Sequence, residues 1–416
     1  MATYQPDYNL AIAVDPGYDA TKVVINGIMF SIPCNVCDVT EFIDKKAMVG
    51  ERKEGFILSH YIQGKKYLVG EEARKLMLER QMRELQMVKQ TMTDSFERFS
   101  MTETEINMIT AIGVALVLYS ENSKKRKQQP ILDIRPGTDE ETAKHNESEL
   151  ARFNIIIGVA LPNDAVDNVW PTVEKKLTGY HEVAFETADN YYNLRFTIPQ
   201  RGHTMALSQA VCALLGAASD DEGYEDENSK VLEKLPVLVI DGGYKTVGLF
   251  KLTTIKMVDE AESNSDLAMG TVHKRVADRL QHEYGRTNIH QFSIPAIIDD
   301  PHTNGEINYE KDGNTATVNI ANLLGEECDK VCDELIAYIN QKYEGLLDIK
   351  QILITGGTGA AYYSRIMEYI QEHKSHLVNN VILTNYKFLG AQIDPVFAIA
   401  VGMYKTLLNQ IHALNE

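Results

Sequence analysis

Along the 416 residues, short apolar β-branched runs alternate with longer stretches whose apolar positions recur at helical spacing. Residues 9–15 (NLAIAVD) are of the first kind and predict a strand covered on both faces, ending at the turn Pro16-Gly-Tyr-Asp. A second β-rich run, residues 21–30, follows at hairpin distance. Residues 41–105 then predict a hairpin turning at Gly64-Lys65 and a polar, Met-rich helix over 71–91, together a subdomain inserted after the first hairpin. Residues 105–118 predict a buried helix, and 121–149, polar and broken by Pro and Gly, a surface insertion. A strand at 153–160 leads to Leu161-Pro-Asn-Asp, where Asn163 or Asp164 is placed to cap a helix running to Leu177. A strand near 194–198, a helix near 204–217 and an acidic loop at 219–229 close the first half.

The second half repeats this logic. A very apolar strand at 236–241, a Gly-rich turn and a second strand span 237–252, followed by a helix over 270–284. A mixed segment at 286–319, a helix at 320–343, a strand at 351–355, a Gly turn with its helix and a closing helix at 395–414 complete the chain. The pattern is α/β, in two halves parted by the acidic loop.

Charge and composition narrow the function. With 41 basic and 59 acidic residues the formal net charge is −18, so the wide positive field of a nucleic-acid binder is not expected, and direct DNA binding is disfavoured. The 44% apolar and 24% charged content is that of a folded chain with a substantial core. The longest apolar stretch, residues 108–119, is well short of the ~20 residues of a membrane-spanning helix, and neither terminus reads as an amphipathic membrane anchor. The first residues lack the basic start and apolar core of a signal peptide, so the expected location is the cytoplasm. Five cysteines, an odd number, do not form a disulfide framework.

The candidate chemistry lies in a repeat. VDPGYDATKVV from Val14 and IDGGYKTVGLF from Ile240 both read Asp-x-Gly-Tyr after an apolar strand, one copy per half. Glycine permits φ > 0 and close approach, so successive backbone N–H groups of such a turn can hold phosphate oxygens. An aspartate at the strand end repels phosphate but is placed to hold Mg²⁺, directly or through water, which gives Asp15 and Asp241 the metal role. Two such hairpins facing one another would grip a nucleotide's phosphates from both sides, with Lys22 neutralising charge. One hairpin alone is an ordinary tight turn; two matching copies weigh against that reading. A third turn, Ile354-Thr-Gly-Gly-Thr-Gly-Ala-Ala361, opens a helix and allows a ribose or base to approach. It lacks the third glycine and the downstream acid of a dinucleotide fingerprint, so no NAD site is expected.

These motifs, in this order, resemble the actin-like ATPases, which share a fold with the chaperone ATPase domain and the sugar kinases. Asp15-x-Gly17 with Lys22 is similar to the family's first phosphate motif, Asp241-x-Gly243-x-x-Thr246 to its second, and Gly356-Gly357-Thr358 to its adenosine motif. Gly158-Val-Ala-Leu-Pro162 resembles the first connecting segment and Asp394-Pro-Val-Phe-Ala-Ile-Ala-Val-Gly402 the one that crosses back. Gly64 to Ala73, Gly179-Tyr-His-Glu-Val and Ile198-Pro-Gln200 are most similar to plasmid-segregation actins of the ParM/StbA type.

The resemblance implies an actin-like ATPase fold: two ribonuclease-H-like halves with inserted subdomains around a nucleotide cleft. The first domain would be residues 1–218, with an insert at about 36–100, joined by the C-terminal helix 395–416. The second would be 230–394, with an insert at about 286–345. It implies Mg²⁺ with ATP or GTP, held by Gly17, Tyr18, Asp19 and Lys22, by Gly242, Gly243, Tyr244, Lys245 and Thr246, by Gly270, and by Gly356, Gly357 and Thr358. Water would attack the outermost phosphate, oriented by Gln200 or, as its rival, Gln209. An amide orients water but is no general base, so slow hydrolysis is expected. The implied partners are other copies of the chain in a head-to-tail filament and a separate DNA-binding adaptor, through which plasmid DNA is moved. Tyr18 and Tyr244 depart from the small or hydroxyl residues common in relatives, and Gly248 replaces an acidic one.

Other readings are a monomeric nucleotide switch, a shape-related actin, and a small-molecule kinase of the same superfamily, whose catalytic base would be sought among Asp266, Asp299 and Asp300. Cys34-x-x-Cys37 and the Cys328/Cys332 pair fall in different predicted subdomains and read as reduced structural cysteines. Lys124-Lys-Arg-Lys127 and the acidic run 220–227 read as solvated loops, and Met77, Met82, Met87 and Met92 follow no single helix face.

Overall fold

The computed structural model describes residues 8–38, 58–62, 65–71, 73–74, 97–127, 129–163, 165–186, 190–199, 202–225, 227–255, 258–286, 289–298, 305–311 and 314–415. The helix expected over 71–91 lies largely outside them, as do Gln200, Asp299 and Asp300. The chain divides into two compact units, Met1–Ser229 with Lys387–Gln392 and Phe397–Glu416, and Lys230–Tyr386 with Ile393–Val396.

Unit 1 is built on a five-stranded sheet. Its strands are β1 (Tyr8–Pro16), β2 (Ala20–Ile25), β3 (Ile28–Pro33), β4 (Phe153–Leu161) and β5 (Thr204–Ser208), in the spatial order β5-β4-β1-β2-β3. β1, β2 and β3 form an antiparallel meander, while β4 and β5 join it in parallel. Leu10 to Val14 are all buried, as the unbroken apolar run requires of a central strand covered on both faces. The run expected at 21–30 is two strands, not one. Asn26 and Gly27 both take left-handed φ, 44° and 77°, the geometry of a two-residue hairpin turn.

The segments between the strands contribute helices as well as two smaller antiparallel sheets, Val36–Asp38 with Leu58–Ile62 and Lys65–Val69, and Gly179–Glu186 with Tyr191–Ile198. After the short α1 (Glu97–Ser100), α2 (Thr102–Arg126) runs well past the expected end. The expected surface insertion at 121–149 is corrected: α2 fills its start and α3 (Glu140–Ala151) its end, capped where Asp139 accepts a 2.8 Å hydrogen bond from the Thr142 amide. The linker is strapped to α2, because the Ser120 hydroxyl accepts from the Ile134 amide at 2.9 Å and donates to the Leu132 carbonyl at 2.8 Å. Leu132 and Ile134 are buried.

The helix expected over 204–217 is also corrected. Thr204–Ser208 pairs with β4, and α5 (Gln209–Ala218), after α4 (Ala165–Leu177), begins only where the Ser208 side chain accepts from the Val211 amide at 3.2 Å. The C-terminal helix, Ala398–Asn415, packs on α5 and on β1 and β4. Gly158 leaves room for it, since a Cβ there would lie 2.6 Å from Met403 Cε. Gly402 lets it approach α5 so closely that a Cβ would run into the Cys212 carbonyl. The buried Lys405 ammonium donates to the Gly216 carbonyl at 2.9 Å and the Ser219 carbonyl at 2.7 Å, satisfying acceptors at the end of α5.

Unit 2 repeats the sheet. β6 (Val237–Gly242), β7 (Val247–Leu252), β8 (Glu260–Asn264), β9 (Gln351–Thr355) and β10 (Val381–Leu383) lie in the order β8-β7-β6-β9-β10. Again the first three are antiparallel and the last two parallel, so the two units share one topology. α6 (Met269–Tyr284), α7 (Ile320–Lys342) and α8 (Gly356–His373) complete it, and the mixed segment contains an antiparallel hairpin, Glu306–Lys311 with Asn314–Asn319. Among the described residues no helix is long and apolar enough to cross a membrane.

Two glycine substitutions test this packing in opposite directions. Gly402→Ala must push the C-terminal helix off α5 and is expected to lower stability by about 1–3 kcal/mol. Gly325→Ala, exposed within α7 with nothing near its new methyl, is expected to raise it by up to about 1 kcal/mol. Denaturant melts of the two variants beside the parent check both signs.

Candidate functional site

Each unit presents its glycine turn at the end of its central strand, where β1 meets β2 and β6 meets β7. In unit 1 the ladder sets Asp15 directly opposite Lys22, and the Lys22 ammonium lies 3.7 Å from Asp15 Oδ2. The other carboxylate oxygen, Oδ1, accepts a 2.8 Å hydrogen bond from Gln209 Nε2 at the first position of α5. Asp15 is only 2% exposed, so these contacts offset the cost of keeping a carboxylate out of water. Gly17 sits under the lysine: a Cβ there would come within 2.6 Å of Lys22 Nζ and 2.8 Å of the Ala20 carbonyl.

Further groups hold the turn from behind. The Gly17 carbonyl accepts from the Cys34 thiol at 3.0 Å, and the Asp19 carbonyl from the Cys34 amide at 2.9 Å. Burial pushes the Cys34 thiol up, so it stays protonated and donates. The Arg98 guanidinium lies 4.0 Å from the ring centre of Tyr18. Asp19 itself is exposed.

In unit 2, Asp241 stands opposite Gly248 in the antiparallel ladder and opposite Thr355 in the parallel one. No lysine occupies the position of Lys22. Instead the second and third glycine turns pack backbone to backbone. A Cβ on Gly242 would strike the Gly359 amide, and one on Gly356, which has φ 78°, would strike the Gly242 carbonyl and come within 3.1 Å of Asp241 Oδ1. The Thr358 hydroxyl donates to the Gly243 carbonyl at 2.7 Å, and the Gly243 amide to the Thr246 carbonyl at 3.0 Å. The Gly270 amide donates to the Tyr244 carbonyl at 2.8 Å, docking α6 on the turn. The Tyr244 ring meets His273 at 5.5 Å and Phe292 at 6.1 Å between centres. Lys245 is half-buried in the same turn, and Gly357 faces Val396, which a Cβ would meet at 3.3 Å. α8 begins at Gly356 without a side-chain cap.

Unit 1 thus gathers Asp15, Gly17 and Lys22, and unit 2 gathers Gly242, Gly243, Tyr244, Thr246, Gly270, Gly356 and Thr358. Gln200 lies outside the described residues, whereas its rival Gln209 is bonded to Asp15. Sequence reasoning missed Arg98 altogether, and read Cys34 only as structural. Nothing in the sequence ties either to the turn, since each reaches it from a separate element. The five cysteines are free, and no cluster of three or more His, Cys, Asp or Glu able to hold a metal is found among the described residues. A cation here would therefore depend on single carboxylates together with a ligand's phosphates and water. Mg²⁺, which keeps several waters and binds through one or two carboxylates, fits that donor set.

No family model and no curated protein matches the sequence. Solved structures do match its fold over nearly the whole length. The actin-like protein Alp7A is similar with a TM-score of 0.63 at 14% identity, covering 98% of both chains. A ParM from Clostridium botulinum, solved as a 15-stranded filament, gives 0.59 at 15% identity, over 97% of this chain and 99% of that one. An archaeal actin homologue in complex with ADP gives 0.58 at 14% identity, over 96% and 99%. With its repeated five-stranded sheets and the glycine turns at their central strands, the chain has the actin-like fold.

Proposed function

We propose that this protein is a Mg²⁺-dependent nucleoside triphosphatase that assembles head-to-tail into filaments and moves plasmid DNA through a separate DNA-binding adaptor. The observation that carries the reading is the repeat: two units of one topology, each ending its central strand in an aspartate and a glycine turn. The similarity in fold to an actin homologue solved with ADP and to a ParM solved as a filament supports it.

In this reading both turns serve one nucleotide. Lys22 attracts the phosphates, and amides of the two turns donate to their oxygens, other than those of Gly17 and Gly243, which bond the Asp15 and Thr246 carbonyls. Gly356, Gly357 and Thr358, with Gly270, form the side toward the nucleoside. Asp15 and Asp241 hold Mg²⁺ through its waters, and the ion supplies positive charge to the phosphate oxygens. Gln200 or Gln209 orients the attacking water, and the contact of Gln209 with Asp15 favours the latter. The acidic chain agrees with leaving DNA to a basic adaptor.

Two experiments test this. Purified protein with Mg-ATP or Mg-GTP is expected to scatter light as it assembles and to lose that signal as phosphate is released. Asp241→Ala is expected to reduce phosphate release by about 100-fold or more; unchanged release would contradict the metal role. Gln209→Ala is expected to slow release by about 10- to 100-fold while nucleotide binding stays within about threefold. A loss confined to Gln200→Ala would return the water-orienting role to that residue.

A further inference from the structure

The turn between β1 and β2 lies beside a buried charge that no group among the described residues balances. Arg98, in α1, is 9% exposed. Its guanidinium carbon lies 4.0 Å from the ring centre of Tyr18 and 4.5 Å from that of Phe99. Among the described residues the guanidinium makes no ion pair or hydrogen bond, and its Nε is buried without an acceptor. A mostly buried cation without a counter-ion is costly, and an arriving opposite charge would offset that cost.

The groups facing Arg98 do not supply that charge. Asp15 is near enough to be felt, but its two oxygens are engaged by Lys22 and Gln209. Cys34 is a protonated thiol and Tyr18 a neutral phenol that offers its ring face. Asp19 is exposed at the surface. Burial draws the Arg98 pKa down from its usual value, yet an arginine stays protonated in such a setting. Around this turn two cations, Lys22 and Arg98, therefore stand against one buried carboxylate. The Tyr18 and Phe99 rings hold the guanidinium by cation–π contact, and its planar fork of N–H donors is the geometry that matches a phosphate.

We propose that Arg98 is a phosphate ligand of this site, that it takes the outermost phosphate of a nucleoside triphosphate, and that Tyr18 holds it in position. The inference rests on the nucleotide reading above. It accounts for Tyr18, which departs from the small residues of similar turns, because the ring presents an arginine from a distant segment. It also makes the turn sensitive to whether the third phosphate is present.

Titration calorimetry with Mg-ATP, Mg-ADP, tripolyphosphate and pyrophosphate, on the parent, Arg98→Gln and Arg98→Lys, tests it. Arg98→Gln is expected to weaken ATP and tripolyphosphate by about 10- to 100-fold and ADP and pyrophosphate by less than about threefold. Arg98→Lys, which keeps the charge without the fork, is expected to recover only part of the loss. The melting temperature of Arg98→Gln should stay level or rise, since an unpaired buried charge is removed. Equal losses for tri- and diphosphates, no loss, or a melting temperature several degrees lower with the preference intact would overturn the proposal. If the parent binds tripolyphosphate but no nucleotide, the nucleotide reading fails while the polyphosphate contrast still decides Arg98; if it binds neither, both fail.

Discussion

Unit 1 depends on one constraint: a carboxylate, Asp15, kept out of water at the end of its central strand. Such a group needs partners, and they come from separate elements. Lys22 is delivered by the register of β1 against β2, so a one-residue slip would turn it to the other face of the sheet. Gln209 is delivered by the start of α5, which Ser208 fixes. That helix is in turn seated by the C-terminal helix through the bare backbone of Gly402 and the Lys405 ammonium at its end. A chain of contacts thus runs from the last residues of the sequence to the first turn, and the turn's geometry is a property of the whole unit.

Unit 2 reaches a similar turn by different means. Asp241 faces Gly248 rather than a lysine, and what fixes the loop is backbone packing of Gly242 and Gly356, reinforced by Thr358 and Gly270. Side chains at the first two of these positions are excluded by sterics, and at Gly356 also by its left-handed φ. One unit therefore offers concentrated positive charge and the other close approach of main chain.

The sequence carried much of this. The paired Asp-x-Gly-Tyr turns were legible because the same pattern stands once in each half, and the unbroken apolar runs marked both central strands. What escaped has a physical pattern. Thr204–Ser208 is short and unremarkable in composition, and it is a strand because β4 offers it a ladder. Asn26-Gly27 was absorbed into a β-rich run although that pair is a strong hairpin signal. Polar residues 121–126 looked like loop yet extend α2, whose buried face is set earlier along the helix. Arg98 and the bond from Gln209 to Asp15 are tertiary facts, invisible until distant segments meet.

The central proposal is that the protein binds one nucleotide together with Mg²⁺. Equilibrium dialysis of the intact protein against Mg-ATP and Mg-GTP, repeated with a chelator present, measures how many nucleotides each chain holds and whether the metal is required. The account predicts one per chain, greatly weakened when Mg²⁺ is withdrawn. Two per chain, none, or full binding without the metal would contradict it.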